Sequence, residues 1–321
     1  LDALWDEALS SGGIANVHTV FRLVSAIVLL PVCGQFEKLS RKLVKDDVRL
    51  GENVDHELSL LDEKFFTSPA IALSGAGEAI TTMARLARTG VMSAMGVLEQ
   101  YDAHTIEVIN ENEEHIDKLA DHVDNYLIRL SPHMPSGHGS DMLNYYIQCF
   151  GEFERIGDHA VNLVKAGKEL EIKSLFFSEE ARRELGVLSA AVREILQLTT
   201  DCYINTDHEM AHHVEPLEQV IDALTKEIKQ NHLARLQAGR CSIELGFILT
   251  DLLTDYERIS DHCSNIAVAV IELQHDALDS HRYLNEMKRD SDAFREMYVK
   301  FREKYTLPES AYIARQAAEY R

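Results

Sequence analysis

From Pro69 to about residue 274, apolar residues recur every three or four positions in six long runs, the period of helices that bury one face. The runs cover about residues 69–98, 102–130 and 138–170, then 178–204, 207–237 and 240–274. Ser68-Pro69 offers a capping residue and a first-turn proline to the first run. Ser131-Pro132 and Met134-Pro135-Ser136-Gly137 break the chain before the third. No segment alternates β-branched and polar residues as strands do, so the pattern predicts an all-α protein.

The six helices are three helices written twice. Glu154-Arg155-Ile156-Gly157-Asp158-His159-Ala160-Val161-Asn162 returns 103 residues later as Glu257-Arg258-Ile259-Ser260-Asp261-His262-Cys263-Ser264-Asn265. The second helices align at an offset of 105, pairing Asp102 with Asp207, Glu113 with Glu218 and Asp117 with Asp222. A duplication of whole helical units is expected: two repeated three-helix bundles over residues 69–175 and 176–275. A polar linker is expected at 45–68, and a mixed-charge helical extension at 276–321.

Residues 1–44 read differently. Ile14 to Gly34 is about one membrane span of mostly apolar sequence, interrupted by Asn16, His18 and Arg22. Asp2, Asp6 and Glu7 precede it and Lys38, Arg41, Lys42 and Lys45 follow. The positive-inside tendency then predicts a transmembrane helix in a cell membrane, with everything after about residue 35 cytoplasmic. A buried helix of a soluble protein is the competing reading. Leu1 in place of an initiator methionine suggests a preceding segment.

Charge narrows the partners. A formal net charge of −21 repels phosphate backbones, so nucleic acid is excluded and cations are favoured. Five cysteines without a C-x-x-C pair suit reduced, buried thiols.

Carboxylates four residues apart share one side of a helix, so Glu154 with Asp158 and Glu257 with Asp261 form two acidic fronts. Clustered carboxylates repel, and a bound metal would relieve them. Asp117, Asp222, Glu152, Asp251 and Asp255 are further candidate ligands, with Asn162 and Asn265 as supporting partners or bundle-interface residues. A solvated acidic face with surface ion pairs explains the same stripe. His159 and His262 lie off it and read as structural. His208-Glu209-Met210-Ala211-His212 satisfies the H-E-x-x-H pattern of zinc metalloproteases, but Glu215 and Glu218 stand where the extended motif needs glycine and a third histidine. It is a remote alternative. No phosphate-binding glycine loop or nucleophile elbow is present, and a non-enzymatic role is expected.

The repeated motif resembles the E/D-x-x-x-D signature of the PhoU family of phosphate-uptake regulators, over roughly 69–274. Ile14 to Pro31, with Leu61-Asp62-Glu63-Lys64-Phe65 and the run from Ser68, resembles the junction between the last membrane helix and the PhoU-like domain of bacterial sodium/phosphate cotransporters. The likeness implies a cytosolic regulatory domain partnered with a transporter membrane domain, and through it with sodium and phosphate. It implies metal ions (iron, manganese, magnesium or zinc) at Glu154, Asp158, Glu257 and Asp261. A stand-alone PhoU-type regulator is the alternative, and a second copy of the chain is a further expected partner.

Overall fold

The computed structural model describes residues 18–23, 54–134, 137–273 and 292–308. The chain divides into two units, Leu1–Arg49 and Leu50–Arg321. In the first, only 18–23 are described, as an exposed helical stretch. The rest of the expected 14–34 span lies outside the described residues.

Every regular element of the second unit is a helix among its described residues. Its elements are α1 (Val54–Leu60), α2 (Pro69–Glu99), α3 (Ala103–Leu130), α4 (His138–Ile172), α5 (Glu179–Asn205), α6 (His208–Ala211), α7 (Val214–Gln237), α8 (Ile243–Glu272) and α9 (Asp292–Lys304). Helices α2, α3 and α4 form one bundle, and α5, α7 and α8 the other. Their starts are set locally. Pro69 occupies the first turn of α2, Asp102 accepts the backbone N–H groups of His104 and Thr105 to start α3, and Ser178 and Ser242 cap α5 and α8. Thr206, at φ 50°, turns the chain out of α5 in the left-handed region.

Each helix spends its apolar stripe inside. Met83, Leu86, Ile116, Leu119, Phe153 and Ile156 fill the first bundle, and Ile195, Leu224, Ile228, Tyr256 and Ile259 the second, all fully buried or nearly so. Each such side chain contributes about 1.5–3 kcal/mol of burial. Helix α4 packs on α2 and α3 within its bundle and on α8 of the other, so the two third helices form the joint between repeats.

Two expectations change. The membrane location is corrected: among the described residues no helix is long and apolar enough to cross a membrane. In the second unit the reason is amphipathicity, because most apolar residues of the described helices are buried against other helices while the opposite faces carry charge. Residues 45–68, expected as a linker, include α1 and a 3₁₀ turn at Glu63–Thr67. Seven residues are too few to display a helical period, yet Val54 and Glu57 are buried and Thr82 on α2 donates to Glu57 at 3.0 Å.

A candidate metal centre and the seam beside it

The acidic front of the first repeat is built by two helices. Glu113 and Asp117 stand one turn apart on α3, and Asp158 faces them from α4. One oxygen from each lies within 4.8 Å of the others, the only such grouping of three or more His, Cys, Asp or Glu side chains among the described residues. The helices approach closely at Gly157, where a Cβ would sit 2.9 Å from Ile116 Cδ1. Burial, then the charges of Asp117 and Asp158, push the Glu113 carboxyl above its usual value. Asp117 is pushed up by burial, Asp158 and Asp121, and Glu154 by burial, Asp158 and Asp117. These groups repel one another, and an all-oxygen set of this kind fits a hard divalent cation.

The equivalent front of the second repeat is furnished differently. Asp261 is also pushed up, by burial and by Glu257 and Asp222, against the pull of Arg258 and His262. Here, however, Lys226 Nζ lies 2.6 Å from Asp222 and Lys229 Nζ 3.3 Å from Glu257. Asp222 and Glu257 are thus held in ion pairs.

The remaining candidates sit elsewhere. Glu152 and Asp255 face the α4–α8 seam, where the two repeats exchange partners. His262 Nδ1 lies 2.7 Å from Glu152, and Asn265 donates to the same carboxylate at 3.1 Å. His159 Nδ1 lies 2.8 Å from Asp255, and Asn162 donates to it at 3.4 Å. The two imidazoles stack with centroids 5.5 Å apart. Burial opposes ionisation of Glu152, but the bonds from His262 and Asn265 prevail and hold it below its usual value. Asp251 is exposed on α8. His208 and Glu209 lie on the single turn of α6, with His212 just beyond it, and join no metal-ligand grouping of three among the described residues.

Glu113 escaped the sequence reading as a ligand, although Glu113 and Asp117 repeat the spacing of Glu154 and Asp158. The same spacing joins Glu218 to Asp222.

Several proteins similar to this chain in sequence or shape are named PhoU or PhoU homologs. A PhoU homolog of Clostridium acetobutylicum, named a phosphate-specific transport system accessory protein, is 24% identical over 193 residues, covering 60% of this chain and 87% of its own. The homolog of Xylella fastidiosa, of the same name, is 28% identical over 195 residues, covering 60% and 80%. The crystal structure of PhoU from Pseudomonas aeruginosa superposes with a TM-score of 0.59 at 21% identity, over 63% of this chain and 96% of that one. The phosphate transport system regulatory protein PhoU from Streptococcus pneumoniae gives 0.58 at 16%, over 66% and 100%. The model of the PhoU domain matches residues 80–166 and again 185–270, together more than half of the chain. This chain belongs to the PhoU domain family, with one copy of the domain in each bundle.

Proposed function

We propose that this protein is a PhoU-type accessory regulator of phosphate uptake, acting as an interaction module alongside a phosphate transport system and holding a hard divalent cation on its first repeat. The observation that carries the reading is the PhoU match to both bundles in succession. The cation part rests on Glu113, Asp117 and Asp158, with Glu154 beside them. Ionised carboxylates on α3 and α4 repel, and a cation between them replaces repulsion with a bridge. Occupancy therefore stiffens the α3–α4 packing, and α4 carries the change to α8 through the histidine seam. Nothing in this role needs a catalytic group.

Two measurements test it. Phosphate uptake is compared in cells with and without the chain, at high and low external phosphate. A phosphate-dependent difference that Glu154→Gln with Asp158→Asn abolishes is expected, and identical uptake with the gene removed overturns the regulatory role. Metal analysis of the purified protein is expected to find a divalent ion that the same variant loses; no ion in either form removes the cation from the reading.

A further inference from the structure

The acidic fronts of the two repeats descend from one pattern, but their third turns have opposite charge. At the 105-residue offset that aligns α3 with α7, Asp121 falls opposite Lys226 and Asp124 opposite Lys229. Both lysines point into the front: Lys226 binds Asp222 at 2.6 Å and Lys229 binds Glu257 at 3.3 Å. In the first repeat Asp121 instead stands one turn beyond Asp117 and adds a negative charge. That front gathers Glu113, Asp117, Asp121, Glu154 and Asp158 against Arg155 and Lys165; the second gathers Glu218, Asp222, Glu257 and Asp261 against Lys226, Lys229 and Arg258.

We infer that the two repeats have parted in ligand chemistry: the first is left for a divalent cation, whereas in the second Lys226 and Lys229 serve as built-in counter-ions that take the cation's place. The inference rests on the cation reading above. Each lysine pair alone is weak, because the ammonium groups are largely in water. What separates the fronts is the reversal of charge, which removes an attraction and installs a repulsion for an incoming ion. The chain then carries one cation-responsive bundle and one whose packing is set permanently. That asymmetry gives the α4–α8 joint a fixed side and a variable side.

The test is a manganese titration of the full chain, read by calorimetry and by the loss of the free-ion electron paramagnetic resonance signal. The wild type is expected to show one class of sites, lost in Asp158→Asn and kept in Asp261→Asn. Lys226→Asp with Lys229→Asp is expected to create binding in the second repeat on the order of tenfold or more tighter than the wild-type second front shows, and to restore binding when added to Asp158→Asn. The neutral pair Lys226→Gln with Lys229→Gln covers the case in which the acidic pair unfolds, and is expected to give a smaller gain. Equal loss of binding in Asp261→Asn and Asp158→Asn overturns the inference. If the wild type binds no manganese, the cation reading fails by itself. The first half of this inference falls with it, and the lysine variants decide the second half: gained binding supports built-in counter-ions, and no gain overturns them.

Discussion

His159 and His262 stack across the joint between the two repeats, and each places its Nδ1 against a carboxylate of the opposite helix: Asp255 for His159, Glu152 for His262. The arrangement has the two-fold character of the duplication, because residues 103 positions apart play the same part from opposite sides. The most repeated stretch of the sequence is therefore used twice over. Its acids face outward along each bundle, and its histidines and asparagines tie one bundle to the other.

Cutting this tie is predicted to loosen the joint. His159→Ala leaves Asp255, which is 9% exposed, without its ring partner, at an expected cost of ~1–3 kcal/mol. His262→Ala does the same to Glu152. The rings also touch each other, so the double variant is expected to depart from additivity by about 0.5–3 kcal/mol. Urea unfolding of the four proteins at neutral pH completes the cycle, and strict additivity would show that the rings do not cooperate.

Acid acts on two sets of carboxylates with opposite sign. Glu152 is held below its usual value in the fold, so its contribution is present above that value and is lost as pH falls through the folded value, below about 4.5. Glu113, Asp117, Glu154 and Asp261 are raised, so their contribution is present below the unfolded values and is lost as pH rises through the folded ones. Metal-free protein is therefore expected to gain stability as pH falls through the raised folded values of these four groups, and to lose the Glu152 contribution below about pH 4.5. Thermal melts from pH 8 to pH 3 measure this. Asp158→Asn should flatten the upper limb, and Glu152→Gln the lower.

The buried thiols make a separate prediction. Cys149, Cys202 and Cys263 are free and buried. Burial pushes Cys149 far up and Cys202 and Cys263 to about 12, where almost no thiolate exists near neutrality. Cys241 is only part-buried, 3.8 Å from His232 Nδ1. Iodoacetamide at pH 8 is expected to label Cys241 well ahead of those three, and peptide mass mapping reads the order. In urea the four should label alike.

Sequence periodicity revealed the bundles because long amphipathic helices repeat their pattern many times. α2 ends one residue beyond its expected limit and α4 two beyond. It revealed neither α1, whose seven residues hold no full pattern, nor the break between α6 and α7 around His212-His213. Asp158 and Asp117 were legible as acids at helical spacing, but their convergence from two helices depends on how closely α3 and α4 approach at Gly157. Lys226 stands four residues from Asp222, a pairing that spacing along one helix allows, but the reach of Lys229 was not visible. Spacing along one helix says nothing of Lys229 reaching Glu257 on another. The seam was hidden for the same reason, since His159 meets Asp255 96 residues away.

A last prediction concerns an ion pair that the first repeat does without. Glu184 on α5 receives two hydrogen bonds from Arg235, at 2.9 and 2.7 Å, and one from Asn231 at 2.8 Å, all from α7. The Glu184 and Arg235 side chains are 2% and 3% exposed, so the charges are removed from water and depend on each other. At the α3–α7 offset Arg235 falls opposite Leu130 and Asn231 opposite Tyr126, both buried, so the duplicated fold accepts an apolar solution at these positions. Arg235→Ala strands the Glu184 carboxylate in the core and is expected to cost ~3–5 kcal/mol. Glu184→Leu with Arg235→Leu removes both charges and supplies apolar volume, and is expected to cost far less than either single removal. Chemical denaturation of the single and double variants separates the outcomes. A double variant as unstable as the sum of its parts would mean that the pair holds α5 to α7 in a way that packing alone does not replace.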